Sequence, residues 1–118
     1  MLAGTMHELG IITEAVRLAV ASARAHGAER VDAVRLRVGA LSGAVPEALQ
    51  FAFDAVTAGT PAEDARLTIE TVPARWWCAA CAAEFAADDW QACCPRCGTW
   101  SDQLRAGREL DIASIEVS

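Results

Sequence analysis

Cys78-Ala79-Ala80-Cys81 is followed, twelve residues on, by Cys94-Pro95-Arg96-Cys97, and this pair of Cys-x2-Cys steps decides how the chain is divided. Two such knuckles set four thiolates at the corners of a tetrahedron, about 2.3 Å from a zinc ion, in a closed sphere that serves structure and not chemistry. The same donor set also holds iron in rubredoxin-like sites, so zinc and iron are both open on spacing, with zinc preferred. The segment around the cysteines, residues 74–104, is too short for an ordinary hydrophobic core. Metal binding would contribute most of its folding free energy, on the order of 10 kcal/mol in small modules of this kind.

Cys93 is a rival ligand, spaced Cys-x3-Cys from Cys97. The proline and trailing glycine of Cys94-Pro95-Arg96-Cys97-Gly98 suit a tight metal-binding turn, which selects Cys94 and leaves Cys93 a spare thiol. In the first knuckle Ala82 stands where a glycine would be more comfortable. All five cysteines fall between residues 78 and 97, with no partners elsewhere along the chain. That pattern favours metal binding in a reducing, cytoplasmic compartment over a disulfide framework. The four tryptophans Trp76, Trp77, Trp90 and Trp100 lie in or beside the same segment. They are read as covering the knuckles, with a partner-binding surface as the alternative. Stacking on nucleic acid is disfavoured, because Arg75 and Arg96 are offset by Glu84, Asp88, Asp89 and Asp102.

Outward from the cysteines, the chain alternates helix and strand. Leu9, Ile12, Val16, Ala19, Val20 and Ala23 recur at helical steps and predict an amphipathic helix over residues 8–26, stopped by Gly27. Val34, Leu36 and Val38 alternate with Arg35 and Arg37, a strand with one buried face that ends at Gly39. Gly43 to Pro46 turns the chain. Pro46 opens a second helix with Leu49, Ala52, Phe53 and Val56 on its apolar stripe, closed by Gly59 and Pro61. A second strand follows at Leu67 to Val72. A third carries Leu110 and Ile112, shifts phase near Ala113 and Ser114, and resumes at Ile115 and Val117, as a bulge would require. The expected fold is α+β: two helices on a small three-stranded sheet, residues 1–73 and 105–118, with an inserted four-cysteine, zinc-ribbon-like lobe, residues 74–104.

The chain has 118 residues, 53% of them hydrophobic, and a formal net charge of −6. This length suits one compact domain with an appended lobe, and the charge argues against coating nucleic acid or an anionic membrane. Met1 to Thr5 carries no charged n-region, and the apolar residues beyond it are interrupted by His7, Glu8, Glu14 and Arg17. Neither a signal peptide nor a membrane span is expected. No nucleophile–base grouping, phosphate-cradling loop or open metal site supports an enzyme.

Met6-His7-Glu8 is the other chemically loaded stretch. Thr5-Met6-His7-Glu8 matches a capping box, with Thr5 as N-cap, Glu8 reaching back to its amide, and His7 merely exposed. Alternatively, a free amine on Met6, the amide of His7 and the His7 imidazole would make the nitrogen-rich, planar set that nickel(II) prefers, with Glu8 as an oxygen ligand or a supporting acceptor. His26, in the last helical turn, is expected to interact with the helix dipole.

Met6-His7-Glu8-Leu9, Val38-Gly39-Ala40-Leu41-Ser42, Pro46-Glu47-Ala48-Leu49-Gln50-Phe51-Ala52-Phe53, the paired knuckles, Gly107-Arg108-Glu109-Leu110 and Ser114-Ile115-Glu116-Val117 occur in this order. Together they resemble the HypA/HybF nickel metallochaperones of hydrogenase maturation. The resemblance implies transferable nickel at Met6, His7 and Glu8, and structural zinc at Cys78, Cys81, Cys94 and Cys97. It also implies delivery to the large subunit of [NiFe] hydrogenase alongside the GTPase HypB, with urease as a further client in some bacteria. A monomer or weak homodimer is expected. In this chain Met1 to Thr5 precedes the motif, so the Met6 nitrogen lies in a peptide bond. A start at Met6, an extension foreign to the natural protein, and a changed ligand set all stay open. A zinc-ribbon interaction module and an iron electron carrier are the competing readings.

Overall fold

The computed structural model describes residues 2–118, with side chains from His7 onward. The first helix, α1 (Leu2–Ala25), starts earlier than the expected cap at Thr5. Leucine and alanine favour helix and no proline interrupts the stretch, so the helix runs on through the motif. Its end is a Schellman motif: Gly27 takes φ 72°, Ala28 N–H donates to Ala23 O at 2.8 Å, and Gly27 N–H to Arg24 O at 3.1 Å. His26 Nδ1 lies 2.8 Å from Ser22 O and satisfies one of the last carbonyls.

One position departs from the expected stripe of α1. Ile12, Ala15, Val16, Ala19 and Ala23 are buried as the period requires, yet Leu9 is 40% exposed and Glu8 is only 2% exposed. The buried face is therefore headed by a carboxylate, four residues before Ile12.

Strand β1 (Val31–Gly39) alternates as expected, with Val34, Leu36 and Val38 buried and Arg35 and Arg37 exposed. Helix α2 (Pro46–Thr57) buries Leu49, Ala52, Phe53 and Thr57 and packs against α1. Its proline sits in the first turn, where a missing N–H costs nothing. Strand β2 (Arg66–Val72) follows, and after the cysteine segment comes β6 (Leu110–Val117). These three strands form one sheet in the order β2-β1-β6. Ala113 and Ser114 are both exposed, which is the phase shift read from the sequence. Arg30 and Ser118 exchange both backbone hydrogen bonds, at 3.1 and 3.0 Å, and so tie the C-terminal residue to the entry of β1.

The cysteine segment adds a second small sheet, with β3 (Arg75–Cys78) between β4 (Ala83–Ala86) and β5 (Leu104–Ala106). Both pairings are antiparallel. The described chain divides into two compact units. One runs up to Leu36 and includes Ala44–Glu70 and Asp111–Ser118; the other is Arg37–Gly43 with Thr71–Leu110. Among the described residues no helix is long and apolar enough to cross a membrane.

Two glycines in the second unit explain motifs that the sequence leaves unassigned. Gly39 N–H donates to Glu109 O and Leu41 N–H to Gly107 O, each at 2.7 Å. A Cβ on Gly39 would lie 2.1 Å from Gly107 O, and one on Gly107, which takes φ 117°, would meet Ala74 Cα at 2.6 Å. Backbone here approaches backbone too closely for any side chain. Gly10, by contrast, is mid-helix with nothing within 4 Å of its added Cβ. Gly39→Ala should therefore destabilise by about 2–3 kcal/mol, while Gly10→Ala stabilises by about 0.5–1 kcal/mol. Urea midpoints at unchanged m-value check both signs.

Candidate metal centre

Both knuckles are hairpin turns closed by a left-handed residue. In the first, Cys78 ends β3 opposite Ala83 of β4, Cys81 sits in the connecting turn, and Ala82 takes φ 51°. In the second, Cys93 bridges to Trp100, Cys94 N–H donates to Thr99 O at 2.9 Å, and Gly98 N–H to Cys94 O at 2.8 Å. Gly98 takes φ 74°, so Gly98 and Ala82 hold equivalent positions. The glycine adopts this conformation freely and the alanine does so under strain.

These turns bring Cys78, Cys81, Cys94 and Cys97 together, with all four sulfurs within 4.8 Å of one another. Cys78 Sγ lies 3.6 Å from Cys97 Sγ, and Cys81 Sγ 4.0 Å from Cys94 Sγ. Corners of a tetrahedron built on 2.3 Å metal–sulfur bonds lie about 3.8 Å apart, so the spacing fits a closed four-thiolate site. Cys93 stands outside this group, exposed, with its thiol 3.1 Å from Gly98 O.

Four thiols at this range titrate one another. Thr99, through its hydroxyl and its amide, pulls Cys97 down to about 6. The amides of Cys97 and Arg96 lower Cys94. Hydrogen bonding with Cys97 and Cys78, together with burial, pushes Cys81 up to about 12. One or two thiolates form readily and the rest resist, which is the charge problem that a divalent cation solves.

Around the sulfurs the core is small: Trp76, Cys78, Phe85, Ala92 and Cys94 are buried, with Leu41, Ala87 and Leu104 packed on them. Trp76 donates its indole N–H to Ala87 O at 2.9 Å. The tryptophans differ in burial. Trp76 is core, while Trp90 and Trp100 are 56% and 66% exposed.

At the other loaded stretch, the Met6 side chain lies outside the described residues. His7 is exposed and, among the described residues, belongs to no group of three His, Cys, Asp or Glu ligand atoms. Neighbours on a helix point about 100° apart, and Glu8 turns inward instead of capping its own helix as a capping box would. Its Oε2 accepts the Val45 N–H at 2.8 Å. Val45 is the N-cap of α2 and has no side-chain cap of its own. Glu8 thus supplies from α1 the anionic acceptor that the N-terminus of α2 lacks. The periodicity of α1 could have revealed it, since position 8 lies on the Ile12 face.

Fold and site together define a two-unit α+β protein organised around a four-cysteine metal-binding group. A family model described as "Hydrogenase/urease nickel incorporation, metallochaperone, hypA" matches residues 6–117. The chain is 46% identical over 112 residues to Hydrogenase maturation factor HypA of Picosynechococcus sp., covering 95% of this chain and 99% of that one. It is 44% identical to that of Geobacter sulfurreducens, with the same coverage. The solution structure of the Ni metallochaperone HypA from Helicobacter pylori has the same fold, with TM-score 0.64 at 19% identity over 93% of this chain and 96% of that one. A second solution structure of a HypA protein gives TM-score 0.69 at 20% identity, over 96% and 97%. The chain belongs to the HypA family of hydrogenase maturation metallochaperones and is not an enzyme.

Metal analysis of purified variants tests the sulfur assignment. Cys93→Ser should retain one bound metal ion per chain, and Cys94→Ser should lose it; the reverse pattern would move the ligand to Cys93. Ala82→Gly should raise the thermal midpoint of this unit, because the relieved strain of about 1 kcal/mol exceeds the added chain entropy.

Proposed function

We propose that this chain binds nickel(II) through His7 and delivers it to the large subunit of [NiFe] hydrogenase. In this reading zinc is held by Cys78, Cys81, Cys94 and Cys97 as a resident structural ion. It would neutralise the thiolates and tie the two knuckles together. The nickel-handling part is residues 1–73 with 105–118, and the zinc lobe is residues 74–104. Work beside the HypB GTPase in the cytoplasm, as a monomer or weak homodimer, with urease as a second client, belongs to the same proposal.

The observation that carries it is the contrast between the two candidate sites. The four sulfurs form a closed set with no position for exchange. His7 is an exposed imidazole on the first helix, reachable by an incoming ion and by a partner that takes the ion away. Glu8 is fastened to Val45 N–H, which favours a supporting role behind His7 over direct ligation.

Backbone nitrogens complete the set. In a helix only the first four N–H groups lack an intrahelical acceptor. With α1 beginning at Leu2, the His7 amide follows more than one full turn of helix. In a chain starting at Met6 that amide falls among the free ones, next to a terminal amine, as planar nickel(II) coordination requires. Isothermal titration with nickel should give tighter binding for the Met6-start form than for the full chain. His7→Ala should weaken binding in both by at least about tenfold. Equal affinity in all of these forms would remove nickel from this site.

A further inference from the structure

The second unit lays two arginines on tryptophan rings. Arg105 Cζ lies 4.8 Å from the ring centroid of Trp77, and Arg108 Cζ 5.3 Å from that of Trp90. Trp90 is itself braced edge-on against the buried Trp76, with ring centroids 6.0 Å apart. Neither arginine has an ion pair among the described residues. An arginine laid on an indole keeps its N–H fork free at the edges and gives up little rotamer freedom on binding. Arg105 and Arg108 are among the residues lining one open cavity of about 250 Å³, with Leu104, Ala106 and the carboxylate-bearing Glu109.

Four of this unit's five carboxylates are hydrogen-bonded or ion-paired locally, the fifth being Asp102. Glu109 Oε1 accepts Gly107 N–H at 2.8 Å, Asp88 Oδ1 accepts Ala74 N–H at 3.3 Å, and Asp89 Oδ1 accepts Gln91 N–H at 3.0 Å. Glu84 pairs with Arg75 at 3.4 Å. Cysteines aside, this unit holds five arginines and five acidic residues, so the formal charge of −6 falls wholly on the other unit.

From this geometry we infer that the tryptophan-backed pair Arg105 and Arg108 is a docking surface for an acidic peptide segment of a partner protein. Two adjacent carboxylates of an extended segment would each take one guanidinium fork, and the alkyl parts of their side chains would cover Leu104 and Ala106. A nucleic-acid strand fits less well. Two cations neutralise few phosphates, and the excess negative charge elsewhere on the chain repels a long polyanion.

Fluorescence anisotropy tests this on the zinc-loaded full chain with a fluorescein-labelled peptide of alternating glutamate and glycine. Its glutamine counterpart and a labelled single-stranded hexanucleotide serve as competing probes. No nickel is added, so the outcome is independent of the nickel titration. The glutamate peptide should bind at least about tenfold tighter than the glutamine one. Arg105→Gln with Arg108→Gln should abolish that preference, while Arg66→Gln, in the other unit, leaves it intact. Equal binding of the two peptides, an unchanged double variant, an equal loss in Arg66→Gln, or tighter binding of the hexanucleotide would each overturn the proposal. Should the double variant lose its zinc, Arg105→Lys and Arg108→Lys decide. They keep the charge and give up the stacked fork, so each should weaken the glutamate peptide about threefold or more, and no loss in either overturns the docking surface.

Discussion

Mutual repulsion among four sulfurs gathered within 4.8 Å of one another is the constraint on which the second unit depends. The apolar cluster around the sulfurs is five buried side chains, two of them cysteines, too little to offset the ordering entropy of a unit of nearly fifty residues by hydrophobic burial alone. The two hairpin turns, the left-handed Ala82 and Gly98, and the short β3, β4 and β5 strands all serve to hold the sulfurs at tetrahedral spacing. A divalent cation held by the four sulfurs would turn that repulsion into attraction.

The helical unit solves a different problem with the same economy of charge. A carboxylate at the head of an apolar stripe would be costly alone. Glu8 avoids this by accepting the Val45 amide, and α2 gains at its N-terminus the acceptor that Val45 cannot offer from its own side chain. His7 and Glu8, adjacent in the chain, thus face solvent and core respectively. The position of the imidazole depends on a contact made by its neighbour to another helix.

Much of this was legible in advance. Period-2 alternation at Val34, Leu36 and Val38 and the proline of Pro46 marked β1 and the start of α2, because each signal is local and unambiguous. The choice of Cys94 for the sulfur group rested on turn chemistry, and in the structure its sulfur stands with those of Cys78, Cys81 and Cys97. Other features were not legible, for physical reasons. The second sheet is built of three- and four-residue strands, too short for a period to register. Leu9 and Glu8 exchanged their expected exposures because a tertiary hydrogen bond to Val45 outweighs side-chain polarity. Gly39 and Gly107 looked like ordinary strand ends, and only their close backbone approach gives them meaning.

The placement of the aromatic residues also determines how this protein can be observed. All four tryptophans lie in the unit that carries the sulfurs, and the chain contains no tyrosine. Ultraviolet emission therefore originates in that unit alone. The emission should be heterogeneous, since Trp76 is sheltered while Trp90 and Trp100 face water. The helical unit is optically silent in this window, so its melting is followed through the peptide backbone, by far-ultraviolet circular dichroism. Comparing the two signals during denaturation would separate the stability of the metal-organised part from that of the part bearing His7.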